Sequence, residues 1–316
     1  MPSSAARIFA DPDEFATSIR QGNCELTVNG RGNFSSELIR IDLHHLWMQR
    51  FSGALPWVLS VTDWGGRAAI GFRTALGPRM RWAGIEMAPG TIIRNSVNHA
   101  FYFDSAGASD IGTMSLPIAE IVSAGAALAG IDLSPRKDVR SIAPPPAAMA
   151  RLQRLHAAAA VLAKHAPAVI AHPEAARGLE QGLIEAMIDC LGTGEVQEDR
   201  AALRQHQMIM RKFHRVVAEH PDQPLYIPEL CRAIGTSERA LRVCCEENIG
   251  MGPKRYLVLR RMNFARQALM KSARTETTVT EIATRYGFWQ FGRFAGEYKS
   301  LFGELPSATL AGPVSG

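Results

Sequence analysis

The last third of this chain repeats itself. Glu229-Leu230-Cys231 returns as Glu281-Ile282-Ala283 and Gly235 returns as Gly287, at an offset of 52 residues. Past the glycine the offset becomes 53: Leu241 is matched by Phe294, Cys245 by Tyr298, Gly250 by Gly303 and Pro253 by Pro306. Similarity at a fixed period means one supersecondary unit used twice. Each unit reads as a short helix, a glycine-containing turn, a second helix and a Gly-x-x-Pro exit, which is helix-turn-helix grammar. Small residues (Cys231, Ala283) let the paired helices approach, and Gly235 and Gly287 can take the positive φ of a tight turn. Ser237 is a good N-cap for the second helix of the first unit. Thr278 with Glu281 forms a capping-box pattern at the start of the second unit.

Between the units, residues 253–271 place Tyr256, Leu259, Met262, Ala265 and Leu269 on one helical face. A helix of that length is a rod of about 28 Å. It suits two reading helices in successive major grooves, about 34 Å apart along one face of DNA. Charge agrees with this. Of the net +5, residues 206–316 hold 16 Lys/Arg against 10 Asp/Glu, whereas residues 1–205 hold 19 against 20. A basic third beside a neutral remainder is an electrostatic footprint of nucleic-acid binding, weak by itself.

The rest of the chain is organised differently. From Cys24 to Asp104 it alternates apolar and polar residues, as in Glu37–Leu43, with β-branched and aromatic runs at Trp57–Val61 and Thr91–Ile93 and Gly/Pro/Asn clusters between them. Many short strands favour a sandwich or a barrel. After Pro144-Pro145-Pro146 the period becomes helical, with one helix at 147–165 ended by Pro167 and a second from Pro173 to Leu191, stopped by Gly192. The expected domains are 1–192, β-rich with helices at 147–191; a linker, 193–205; and 206–316, with helix-turn-helix units at about 208–250 and 272–307. With 47% apolar and 21% charged residues the composition is that of a folded chain. No stretch reaches 18 uncharged apolar residues, and the first 20 residues lack a signal-peptide run, so a cytoplasmic protein that avoids the membrane is expected.

Residues 206–310 resemble the AraC/XylS family of bacterial transcription regulators. The likeness lies in Ser237-x-Arg239-x-Leu241, Gly250-Met251-Gly252-Pro253-x-x-Tyr256-Leu257 and Arg261-x-x-x-Ala265, then in Val279-x-Glu281-Ile282-Ala283-x-x-x-Gly287-Phe288 and Lys299-x-x-Phe302-Gly303-x-x-Pro306-Ser307. Gly287–Phe294 with Pro306–Leu310 is closest to the ethanolamine-responsive branch. The resemblance implies an α+β protein: an N-terminal cupin-like β-barrel with flanking helices, and an all-α C-terminal domain of two helix-turn-helix motifs joined by a connecting helix. It implies promoter binding, activation rather than repression, and an N-terminal domain that senses a small molecule or mediates dimerisation. Double-stranded promoter DNA, RNA polymerase, an effector and a second copy of the chain are the implied partners. The sequence departs from the family pattern at Val243 and Gly296, where a basic residue is usual, and at Gly252, Gly292, Cys245 and Tyr298.

Arg239 and Arg242, three residues apart on the first reading helix, are candidate base readers, because Arg can donate two hydrogen bonds to guanine. Arg293 and then Gln290 are the candidates on the second. Lys299, Lys254 and Arg255 are candidate phosphate contacts, with Ser237 at the helix start. Arg260, Arg261 and Arg266 read as internal ion-pair partners or solvated side chains. Trp47, Trp82, Arg94, His99 and Tyr102 are candidates for an effector pocket, since pockets are mostly apolar with a few polar groups; the same aromatics suit an ordinary core. No catalytic set, cofactor motif or metal ligand set is found: the five cysteines show no CxxC spacing, His44-His45 lacks the spacing of a cupin metal site, and Gly30-Arg31-Gly32 reads as a strand turn. Cys245 is expected in the core and Cys244 on the surface. Two alternatives stand beside the regulator: a cupin-type barrel enzyme with an appended helical domain, and a helical interaction module that no longer reads DNA.

Overall fold

The computed structural model describes the chain except residues 21, 63–65, 97–99, 137, 197–200, 221–222, 273–276 and 313–316, and the side chains of 201–204. The β-rich region runs β1 (Ser3–Phe9), α1 (Pro12–Ser18), β2 (Asn23–Val28), β3 (Ser36–Asp42), β4 (Trp47–Gly53), β5 (Trp57–Thr62), β6 (Arg67–Arg73), β7 (Met80–Trp82), β8 (Ile85–Glu86), β9 (Ile92–Arg94), β10 (Phe101–Ser105) and β11 (Ser109–Pro117). Next come α2 (Ile118–Ala129), β12 (Arg140–Ala143), α3 (Pro146–His165), α4 (Pro167–Ala171), α5 (Pro173–Thr193) and β13 (Glu195–Val196). The remainder is helical: α6 (Ala201–Glu219), α7 (Ile227–Ile234), α8 (Glu238–Ile249), α9 (Pro253–Lys271), α10 (Val279–Arg285), α11 (Phe291–Phe302) and α12 (Pro306–Ala311). Helix α5 runs through Gly192 rather than stopping at it, and the residues read as a linker include β13 and the first turn of α6.

Two sheets form, one in the order β1-β3-β4-β11-β6-β9-β12-β13 and the other β2-β5-β10-β7-β8. Strand alternation sorts the first sheet's side chains onto two buried faces. Leu38, Ala69, Ile93 and Ile111 point to the second sheet, where they meet Leu26, Leu59, Val61, Trp82 and Phe103. Their neighbours Ile39, Ile41, Ile70, Phe72, Ile92 and Met114 point the other way, onto α3 and α5 through Leu152, Ala159, Leu183 and Met187. A sheet covered on both faces needs apolar residues at nearly every position, which explains why its strands are less cleanly alternating than one-faced strands.

The two sheets of the expected cupin-like barrel or half-barrel do not close on each other. Among the described residues β1 pairs only with β3, β2 only with β5, and no ladder joins the two sheets. β1 and β3 lie in one sheet while β2, between them in sequence, lies in the other. The result is two facing antiparallel sheets with helices on the outer face of the larger one. No described helix is long and apolar enough to cross a membrane. Among the described residues no group of three or more His, Cys, Asp or Glu is placed to hold a metal ion.

His156 of α3 sits in this core, fully buried against Phe72, with Nε2 3.2 Å from the Gln49 carbonyl oxygen. Burial pushes its pKa down to about 4, although the carbonyl contact opposes the shift. An unfolded chain takes up this proton near pH 6.5 and the native chain does not, so stability is complete above pH 6.5 and falls as pH drops toward 4. Asp13 acts in the opposite direction, because burial and then the Asp11 charge push its carboxyl up to about 6. A His156→Gln variant isolates the histidine. Its Tm should fall less between pH 7 and pH 4.5 than that of the unaltered protein, as followed by circular dichroism; parallel curves would exclude His156 as the source.

Candidate nucleic-acid interface

Both sequence repeats fold as helix pairs. In the first, α7 ends at Gly235, with φ 74°, whose N–H and that of Thr236 donate to the Cys231 carbonyl (2.9 and 3.0 Å). The Ser237 hydroxyl then accepts from the Ala240 N–H at 3.1 Å and starts α8. In the second, Thr278 and Glu281 form a reciprocal capping box at the start of α10, and Gly287, with φ 75°, makes the turn. The shift from 52 to 53 is located here. Helix α8 begins three residues after Gly235 and α11 begins four after Gly287. The extra residue lies in the loop, so both second helices are 12 residues long and place Leu241 and Phe294 at the same internal position.

Helix α9 is common to both units. Tyr256 and Leu257 join the first core with Leu230, Ile234, Leu241 and Cys245. Met262, Ala265 and Leu269 join the second with Ile282, Ala283, Phe294 and Tyr298. Tyr298 stands where a Phe is usual, and its hydroxyl is satisfied: it donates to Thr309 Oγ1 at 2.8 Å, which donates on to Glu304 at 2.7 Å.

The candidate DNA-contacting side chains are exposed, and several border one cleft. Helix α8 contributes Arg242, the start of α9 contributes Lys254 and Arg255, and α11 contributes Arg293 to a cleft of about 680 Å³ between the two second helices. Arg239, Gln290 and Lys299 are exposed on the same two helices without lining the cleft. Arg242 pairs with Glu246 at 3.4 Å and Arg293 with Glu297 at 2.7 Å, both one helical turn apart. Exposed pairs of this kind are weak and open readily to a stronger anion. Ser237 is committed to its cap, so its role is to shape the helix start. On α11 a Cβ added at Gly292 or Gly296 would meet nothing within 4 Å, so that face is bare backbone. Beside the arginines stand three exposed apolar groups, Val243, Trp289 and Phe291, of which the sequence analysis gave Trp289 and Phe291 no role. Trp289 lies in the loop before α11, while Phe291 is an apolar residue at a solvent-facing position of a helix whose core face is already complete, a signal available in the sequence.

Cys244 is fully buried, contrary to its expected surface position. Helix α8 is covered on a second side by β7 and β10, so its buried face is wider than a free-standing domain would need. This is one part of a polar contact between the helical region and the second sheet. Arg260 of α9 pairs through Nε and one terminal nitrogen with both Glu25 oxygens at 2.6 Å. Asn263 exchanges hydrogen bonds with the backbone of Val28. Ser60 Oγ lies 2.6 Å from His214 Nε2, and Arg81 holds both Asp104 and the Glu246 carbonyl. Arg261 instead donates to the carbonyls of Tyr286 and Gly287, and Arg266 stacks on Phe302.

The effector candidates are dispersed. Trp82 is buried between the sheets, stacked on Phe101 and Phe103. Tyr102 points out of the second sheet onto Phe213, His214 and Tyr256. Arg94 donates to the carbonyls of Leu133 and Ser134, beyond the end of α2. The guanidinium groups of Arg20 and Arg67 both lie over the Trp47 ring. His99 falls outside the described residues. The space between the sheets beside Trp82 is only about 20 Å³, room for one water.

Comparison with known proteins agrees with this geometry. Residues 230–312 match the family described as a helix-turn-helix domain. A probable thc operon regulatory protein of Rhodococcus erythropolis is 36% identical over 132 residues, which are 39% of this chain and 40% of that protein. A XylDLEGF operon transcriptional activator of Pseudomonas putida is 35% identical over 102 residues, 31% of this chain and 65% of its own length. A solved structure of a probable AraC family transcriptional regulator from Rhodopseudomonas palustris is 31% identical, covering 33% of this chain and 98% of that one, with a TM-score of 0.31. This chain thus spans less than two thirds of the two curated relatives. The region defines a helix-turn-helix protein. This region of the chain is similar to the helix-turn-helix region of the AraC/XylS transcriptional regulators.

The Glu25–Arg260 pair gives a direct test of the contact between regions. Arg260 is 6% exposed, so Glu25→Ala leaves a buried cation without its partner. Loss of one partner of a buried pair costs about 3 kcal/mol or more. Urea denaturation of the full chain should show a loss of that size for Glu25→Ala and a much smaller one for Glu25→Gln, which keeps hydrogen-bond acceptance.

Proposed function

We propose that the whole chain is a sequence-specific transcriptional activator. In this reading α8 and α11 enter successive major grooves of promoter DNA and the N-terminal region senses a small molecule or mediates dimerisation. The observation that carries it is the pair of glycine-turned units on one shared helix, with their exposed arginines facing a common cleft. Arg239 and Arg242 read bases from α8, and Arg293 with Gln290 reads them from α11. Lys254, Arg255 and Lys299 hold phosphates. The two parts correspond to the residues 1–192 and 206–316. The likeness of Gly287–Phe294 to the ethanolamine-responsive branch supports a relation in DNA reading and leaves the effector's chemistry unassigned. Trp47, Trp82, Arg94 and Tyr102 do not converge on one cavity, and the candidate His99 lies outside the described residues, so an effector would have to open the small space beside Trp82 or bind elsewhere. Any such ligand shifts the DNA-competent state by no more than its differential affinity for the two states. RNA polymerase and a second copy of the chain are partners by family habit, as is a cytoplasmic location.

Selection of bound sequences from a random duplex pool by the full chain tests this reading. A two-part consensus with halves about one helical turn apart is expected. Arg239→Ala should blur one half and Arg293→Ala the other, each weakening binding by about 5- to 150-fold at its site. Binding without a consensus, lost at moderate salt and indifferent to both variants, would mean that charge alone attracts DNA.

A further inference from the structure

The cleft between the two reading helices is not built from the helical region alone. Asn29 and Arg31, from the turn between β2 and β3, line it together with Arg242, Lys254, Arg255 and Arg293. Arg31 is exposed, and Asn29 Oδ1 is buried without a hydrogen-bond partner in the structure. The turn is held in place from several sides. Glu25 and Val28 of β2 are tied to Arg260 and Asn263 on α9, and the Asn29 N–H donates to the Pro56 carbonyl at 3.1 Å. A Cβ at Gly30 would lie 2.2 Å from the Pro56 ring, so this backbone is packed directly on the turn between β4 and β5. With Arg31 the cleft lining carries five cations against Glu238 and Glu297.

We infer that the β2–β3 turn is part of the DNA-binding surface, with Arg31 contacting the phosphate backbone where it passes between the grooves read by α8 and α11. The inference rests on the major-groove reading proposed above and extends it. The N-terminal region then supplies a fixed phosphate contact, and its docking on α9 sets where that contact falls. A phosphate is the occupant that the chemistry favours. The open lining sets five cations beside apolar groups such as Val258, Met262 and Leu301; its position between two reading helices is where a duplex backbone runs, and a backbone contact needs no particular base.

The test uses the full chain, the duplex it selects, and a scrambled duplex of equal length. Arg31→Ala should weaken binding to both duplexes by the same factor, with the slope of log K against log salt shallower by about 0.9. Arg31→Lys should restore the slope, because either cation neutralises a phosphate. An unchanged slope in Arg31→Ala would place the turn outside the backbone path and overturn the inference. Tighter binding by Arg31→Ala would overturn it too, by making the turn an obstruction. Weakening confined to one base of the consensus would make Arg31 a base reader instead. If the unaltered chain prefers no duplex, the reading above fails with it; if a preference persists while Arg31 is silent, only this inference fails.

Discussion

Tyr256 and Leu257 near one end of α9, and Met262, Ala265 and Leu269 toward the other, belong to separate hydrophobic cores. Each helix pair packs its core against this one helix, with α6 completing the first core and α12 the second. The separation of α8 and α11 is therefore set by a continuous hydrogen-bonded rod rather than by a flexible tether. Helix propensity contributes modestly; burial on both sides is what holds the rod straight and the readers in place.

The same helix faces the β-rich region on another side. Glu25, Val28 and Tyr102 meet Arg260, Asn263 and Tyr256 there. The Glu25 ion pair and the Val28 hydrogen bonds are polar and geometrically specific, while Tyr102 packs edge-on against Tyr256 inside the first helical core. Ion pairs of this kind add less to net stability than to the choice of one arrangement over others. A change in the N-terminal sheets has a short physical route to the reading helices, through β2 and α9.

What the sequence revealed follows from the range of the interactions involved. The turns, caps and shared helix were legible because each depends on residues within a few positions: Gly235 and Gly287 for positive φ, Ser237 for its cap, Thr278 with Glu281 for the capping box. The strands were legible as strands, but their division between two sheets was not. Pairings such as Thr113 with Gln49 and Gly71 lie far apart in the chain and leave no trace in periodicity. Cys244 was misplaced for a related reason, since its face of α8 is buried by strands more than 130 residues away. Arg260 was correctly suspected of an internal pair, yet Glu25 could not be named. Arg31 read only as part of a turn, because its cationic neighbours in the cleft come from three distant helices.

Aligning α8 and α11 by their shared internal register exposes a divergence between them. Arg239, Arg242 and Val243 fall opposite Gly292, Ala295 and Gly296, while Arg293 falls opposite Ala240. The duplicated modules have kept their cores and exchanged nearly everything on their outer faces. One presents long cationic side chains from one stripe; the other presents a bare stripe and displaces its guanidinium by one position. Two unlike readers on a single rod make a molecule with a head and a tail. Its matching site on a duplex has no need of an inverted repeat. If α8 and α11 read DNA as proposed, that site has a direction, and a single chain bound there points one way along the duplex.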